Sequence, residues 1–317
     1  MQNTRTDSNG STFSTECIRD LLADRKRERR WKNIRFFAGL ALVLVLVGGY
    51  LFQGGASMTG DASSGYVSLV RLNGMIAPGQ DFSAENVLPV LEEAFADKKS
   101  AGVILDINSG GGTPVQAAII HDAILDYKNR YHKKVVAVGE DMLASGAYYV
   151  AVASDKIWIN PNSITGSIGV IMKDFGFPDL IKKIGVERRV YTSGANKDRL
   201  DPFLPQTPED IQKIQGVISE IHGNFRSVVE AGRKGKLNGN PDAIFSGDFW
   251  SGQTAVKLGL ADMTGNLSDA MKQEFQVSAY KDYSAQPSFV KSIMGQLGST
   301  LASLPLSASK VEVLEKL

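Results

Sequence analysis

Residues Phe36 to Phe52, FFAGLALVLVLVGGYLF, are 17 consecutive residues without a charge. A helix of roughly this length is at the short end of what crosses the hydrocarbon of a bilayer. Between Arg25 and Arg35 stand seven Lys/Arg against one acid, Glu28, and no Lys or Arg follows the run until Arg71. Carrying those charges through hydrocarbon is costly, so the positive-inside rule puts the N-terminus in the cytoplasm and the body outside. Residues 36–53 are therefore expected to be a single-pass anchor in the lipid bilayer. Two other readings compete. A buried core helix fits poorly with apolarity all round and a basic flank. A cleaved signal peptide has suitable small residues in Gly54-Gly55-Ala56, but the basic region before the run is long for a signal.

The net charge is +1, yet residues 1–35 hold nine Lys/Arg against five Asp/Glu. The remainder is weakly acidic and gives no reason to expect nucleic-acid binding. A single cysteine, Cys17, excludes an internal disulfide framework and a cysteine-built zinc site. Three histidines leave little material for a metal centre, so no metal and no cofactor are expected. The chain divides into a cytoplasmic basic segment (1–35), the anchor (36–53), a flexible polar linker (54–65), a catalytic body (66–283) and a tail (284–317). The tail includes a mildly amphipathic stretch, IMGQLGSTLASLPL, suited to an oligomer contact or a loosely ordered end.

Within the body, apolar and β-branched runs predict strands at 66–72, 102–107, 134–138 and 156–159. Three-to-four spacing predicts helices at 84–98 and from Pro114 to about Tyr127. A short buried helix is expected at 147–153 and a long polar one at 208–234. Strands alternating with helices imply an α/β fold with a mostly parallel sheet.

Four segments carry possible chemistry. In Asn108–Thr113, NSGGGT, three glycines sit between a strand and a helix, where backbone N–H groups can approach a ligand or stabilise an oxyanion. The segment lacks the Lys-Ser/Thr of a P-loop, and a plain tight turn is the alternative. In Glu140–Ala151, EDMLASGAYYVA, Ser145 stands between small residues where a strand meets a helix. That geometry would expose its hydroxyl and free the N–H of Gly146, unless Ser145 simply caps the helix. Ser167 lies in ITGSIGVIM and Lys197 in YTSGANKDRLDPF. Taken singly, these read as a packed turn and a solvated loop charge.

Taken together and in this order, the four segments resemble the signal peptide peptidase (SppA) family of membrane-bound serine proteases. The most specific pieces are MLASGAYYVA, NSITGSIGV and SGANKD. The resemblance implies a ClpP/crotonase-like fold, a repeated β-β-α superhelix, with one N-terminal transmembrane helix. It implies Ser145 as nucleophile, Lys197 as general base, Ser167 as the hydroxyl that positions the lysine, and Gly111 with Gly146 as oxyanion-hole donors. The family usually has Ser-Pro-Gly-Gly at the glycine turn. Gly110 replaces that proline, which leaves the donor open between Gly111 and Gly112. A single copy matches the family's short form, implying a homo-oligomer of about eight subunits whose sites are completed between neighbours. The implied substrates are cleaved signal peptides and other apolar peptides, and the implied location is a bacterial inner membrane with the body periplasmic or extracytoplasmic.

Serine needs a base in contact with it. An ordinary lysine amine is charged at neutral pH, so a lysine base requires an apolar wall and an Asp198 that points away from the Lys197 nitrogen. A Ser-His-Asp triad drawing on His121, His132 or His222 finds no match to the family's base. Asp106 and Asp122 read as strand-end and helix-face polar groups. The rival functions are an acyl-thioester enzyme of the crotonase type and a non-catalytic membrane assembly protein. After alkaline carbonate extraction, the full-length protein is expected to stay in the membrane pellet; its release would overturn the anchor.

Overall fold

A computed structural model of the chain describes residues 30–43, 57–59 and 65–284. Residues 30–43 are helical, with Trp31, Phe36, Phe37 and Leu42 exposed. Among the described residues no helix is long and apolar enough to cross a membrane. The second half of the expected anchor, from Leu44, lies outside them, as does the tail from residue 285.

The body opens with β1 (Ser57–Thr59), β2 (Tyr66–Asn73), α1 (Ala84–Ala96), β3 (Ser100–Ser109), α2 (Pro114–Tyr131), β4 (Val135–Ala144) and α3 (Gly146–Ala151). Then come β5 (Lys156–Ile159), β6 (Ile164–Gly166), α4 (Pro178–Lys183), α5 (Pro208–Gly232) and α6 (Pro241–Ile244). It closes with β7 (Phe249–Ser251), α7 (Gly252–Lys257), β8 (Met263–Thr264), α8 (Leu267–Ala270), a π-helical turn (Met271–Phe275) and β9 (Ala279–Asp282).

All nine strands described belong to one sheet in the order β1-β9-β2-β3-β4-β5-β8, with β6 paired to the outer half of β4 and β7 to β6. Only the β1–β9 and β6–β7 pairs are antiparallel. The α/β class expected from the alternating pattern is the observed one. Residues 57–59, expected within the flexible linker, instead lie as strand β1 along the edge of β9.

Period-two alternation builds a core on each face of the sheet. Along β3, Val103, Leu105 and Ile107 face the larger core under α1, α2 and α3, and Ile104 faces a smaller one with Trp158 and Met271. Each such apolar side chain contributes about 1.5–3 kcal/mol on burial. The 3.6-residue repeat does the same for the helices: Val87, Leu91, Ala94 and Phe95 of α1 are buried. Helix α5 starts at a capping box, with Thr207 and Asp210 satisfying one another's backbone N–H groups. Its C-terminal end is tied to the body by the buried Arg233, which donates from Nε to the Gly259 carbonyl at 2.8 Å and from Nη1 to Asp262 at 2.6 Å.

Asp97 clasps the two ends of the body. Its Oδ2 accepts from the hydroxyls of Tyr66 at 2.8 Å and Tyr283 at 2.5 Å, and its Oδ1 from the Lys99 N–H at 2.9 Å. Burial raises the pKa of this carboxyl, but the hydrogen bonds from Tyr283, Lys99 and Tyr66 outweigh it and hold the pKa at about 2. Asp97→Asn is expected to cost about 1–3 kcal/mol at neutral pH. A carboxyl that titrates lower when folded contributes its full stability above roughly pH 4, where the unfolded chain is also ionised, and loses it as the pH falls. Urea-unfolding curves of wild type and variant should therefore converge near pH 2.

Candidate active site

The site is built where β4 ends. Ala144 pairs with Gly166 of β6, and the N–H of the next residue, Ser145, donates to the Gly166 carbonyl at 2.8 Å. That pairing holds Ser145 at φ 54°, ψ −126°, a left-handed conformation that is strained for a residue with a side chain and worth about 1–3 kcal/mol. Helix α3 begins at once, yet the Ser145 side chain makes no capping hydrogen bond. This answers the capping alternative: the hydroxyl is free at the N-terminus of a buried helix.

Ser167 follows Gly166 directly, also at positive φ (49°), with its N–H held by the Asp248 carbonyl at 2.7 Å. Adjacent strand ends thus bring Ser145 and Ser167 together. The glycine turn arrives from β3 on the other side. Its residue Gly112 forms a parallel bridge with Ile76, and Ile76 N–H and Thr113 N–H complete that bridge at 3.0 and 2.8 Å. A Cβ on Gly112 would sit 1.9 Å from the Ile76 carbonyl oxygen, so no side chain fits. Gly111 takes φ 97°, and a Cβ there would lie 2.6 Å from Gly146 N and 2.7 Å from Ser145 Cβ. The Gly111 N–H donates to Ser109 Oγ at 3.1 Å. Among the described residues, the N–H groups of Gly112 and Gly146 have no acceptor.

These elements enclose an apolar cavity of about 440 Å3, lined by Ser145, Gly112, Tyr149, Val170, Ile171 and Phe225 among others. Tyr149 packs on Phe225 at 5.1 Å between ring centroids. Sequence reasoning did not find these lining residues. The one available signal was the Ile221–Phe225 spacing of four on an otherwise polar helix.

Lys197 stands elsewhere. It is exposed on the arm between β6 and α5 and lines a separate cavity with Met172, Leu200 and Val217. It forms no ion pair with Asp198. Within one described chain, then, Ser145, Ser167 and the glycine turn converge and Lys197 does not join them. His121 hydrogen-bonds Asp122 at 2.8 Å and packs edge-on against Tyr149 at 5.2 Å, so an aromatic ring, not Ser145, is its neighbour. His222 faces the Ile168 carbonyl at 3.2 Å. Among the described residues no three metal-ligating side chains cluster.

A strained, uncapped serine at a strand-to-helix turn, flanked by unpaired N–H groups and an apolar cavity, is an arrangement able to serve nucleophilic chemistry. Residues 128–279 match the model of Peptidase family S49. The chain is 33% identical over 204 residues to the putative protease slr0021 of Synechocystis, covering 64% of this chain and 71% of that protein. It is 28% identical over 275 residues to a putative signal peptide peptidase SppA of Enterococcus faecium, covering 77% and 79%. It is also 43% identical over 251 residues to a Brucella abortus protein named Na(+)/H(+) antiporter NhaA, covering 78% of this chain but spanning only 33% of that longer protein. The chain belongs to peptidase family S49.

Gly111→Ala is expected to lower the stability of the fold by more than about 1 kcal/mol, since its φ suits glycine alone and the added methyl meets Gly146 N. A shift of the urea midpoint at unchanged slope would register it.

Proposed function

We propose that the chain is a membrane-anchored serine endopeptidase with a Ser-Lys dyad, acting on cleaved signal peptides and similar apolar peptides outside the cytoplasm. The observation that carries this reading is the free Ser145 hydroxyl, held at a strained turn beside the unpaired N–H groups of Gly112 and Gly146 at the mouth of an apolar cavity. The cavity size and lining suit a small or aliphatic substrate side chain.

In the reaction, the neutral amine of Lys197 takes the Ser145 proton as Oγ attacks the peptide carbonyl carbon. The carbonyl oxygen becomes an oxyanion facing the N–H groups. Gly146 is one donor. Gly112 is favoured over Gly111 as the other, because Gly111 N–H is already given to Ser109 Oγ. The amine then returns its proton to the leaving nitrogen, the C–N bond breaks, and water hydrolyses the acyl-enzyme by the reverse sequence. Ser167, beside Ser145, positions the incoming amine.

Lys197 reaches this site on assembly. The arm that carries it exposes Ile171, Phe175, Ile184 and Tyr191 at 65–91%, an apolar surface of the kind that marks a protein interface. A ring of copies, about eight by family resemblance, would cover these residues, press Lys197 against Ser145 and Ser167, and strip the amine of water so that it stays uncharged. The repeated β-α units of the body are compatible with the ClpP-type superhelix that such rings use. Residues 36–53 hold the ring to the bilayer.

Mass spectrometry of a synthetic signal peptide incubated with the detergent-solubilised protein tests the reading. Ser145→Ala and Lys197→Ala should each cut the cleavage rate by more than about 10²-fold with the fold intact. Retention of a tenth of the rate by either variant sinks the dyad, and failure of a fluorophosphonate to label Ser145 would favour the non-hydrolytic rivals.

A further inference from the structure

The helix over residues 30–43 carries its cations at one level rather than on one side. Arg30, Lys32 and Arg35 are all exposed. At 100° per residue, Arg30 stands about 140–200° round the helix from the other two. Along the axis the three span only about 7.5 Å. Residues 30–43 contain no Asp or Glu. Trp31 lies at the same level, and the Arg35 guanidinium sits 5.9 Å from its ring centroid, within reach of a cation–π attraction.

The apolar side chains of this helix form no stripe. Ile34, Phe36, Phe37, Leu40 and Leu42 are exposed and are distributed round the whole axis, with no gap wider than about a third of a turn. A helix that lies flat on a membrane needs an apolar side opposite a basic one. Laid flat, this one would turn either Arg30 or the Lys32–Arg35 side into hydrocarbon, where a cation is costly. A helix that enters the bilayer end-on meets no such conflict. Its cations then encircle it within the headgroup layer, about 5–8 Å thick on each side. Trp31 takes the interfacial position that its ring favours.

We propose that Arg30, Lys32 and Arg35 form a collar that binds the headgroups of anionic phospholipids in the leaflet where the anchor begins. The guanidinium groups of Arg30 and Arg35 can each grip two oxygens of a phosphate. A headgroup of net negative charge complements a region with no acid of its own, whereas a zwitterionic headgroup brings its own cation. This rests on the reading of residues 36–53 as an anchor and goes beyond it: anchoring requires only apolar length, but the collar selects the lipids around the helix.

Spin-labelled phosphatidylglycerol and phosphatidylcholine with the same acyl chains, in vesicles containing the full-length protein, test the collar by electron spin resonance. At low ionic strength the phosphatidylglycerol probe is expected to be held at the protein at least about threefold over the other, against about fivefold for one fully engaged cation. Arg30→Gln/Lys32→Gln/Arg35→Gln should lower that ratio at least about twofold. The same charge change made nine or more residues before Phe36, in Arg25→Gln/Lys26→Gln/Arg27→Gln, should lower it less. Equal retention of both probes by the wild type, or an equal loss in the two variants, overturns the collar and leaves the anchor standing. Loss of the preference with inorganic phosphate, but not with sodium chloride of equal ionic strength, would reveal a free-phosphate site and overturns it as well. Retention of neither probe would overturn the anchor reading, and the collar with it.

Discussion

The pairing of the outer half of β4 with β6 is the interaction on which the site depends. It is short, Met142–Ala144 against Ile164–Gly166, and is reinforced by the Thr165 hydroxyl donating to the Leu143 carbonyl at 2.6 Å. Its last link, Ser145 N–H to Gly166 carbonyl, ties Ser145 into a conformation that a free chain would avoid. The strain is held by the surrounding sheet, and the result is a hydroxyl that neither caps a helix nor packs in the core.

Close backbone approach explains the glycines. The triplet turn rests against Ile76 and against the first turn of α3, with less room at Gly111 and Gly112 than a methyl group needs. The turn is thereby placed by its neighbours rather than by its own preferences. Free N–H groups at Gly112 and Gly146 are the chemical consequence: among the described residues, two donors with no protein acceptor beside the Ser145 hydroxyl. Preorganised donors of this kind need no rearrangement as charge develops on a substrate oxygen.

The arm is the part of the body with the most exposed apolar side chains among the described residues of the body. Its internal contacts include a stack of Phe175 on Phe177, a tilted Phe177–Phe203 pair and the Arg188–Asp201 ion pair. Ile171, Met172, Leu180, Ile184, Val186 and Tyr191 of the arm face solvent. Burying them against a second copy would release water from apolar surface, the driving force to be expected for assembly. Lys197 sits on this arm, which would couple the proposed base to the proposed assembly rather than to the fold of one chain.

Local pattern determined much of this protein. The alternating strands β2 to β5 and helices α1, α2 and α5 follow from hydrophobic spacing, capping residues and glycine placement; β4 departs most from expectation, running to Ala144, six residues past its expected end at Val138. Ser145, Ser167 and the glycine turn were singled out by family resemblance and not by local pattern, since each taken alone also reads as a cap or a packed turn. The short strands β6 to β9 and the walls of the Ser145 cavity were not legible. They arise from contacts between residues far apart in the chain, such as Arg71 with Asp282 and Ser167 with Asp248. Periodicity reports which side of an element is buried; only the packed sheet decides what it is buried against, because that depends on strand order and register, which no local run of residues encodes.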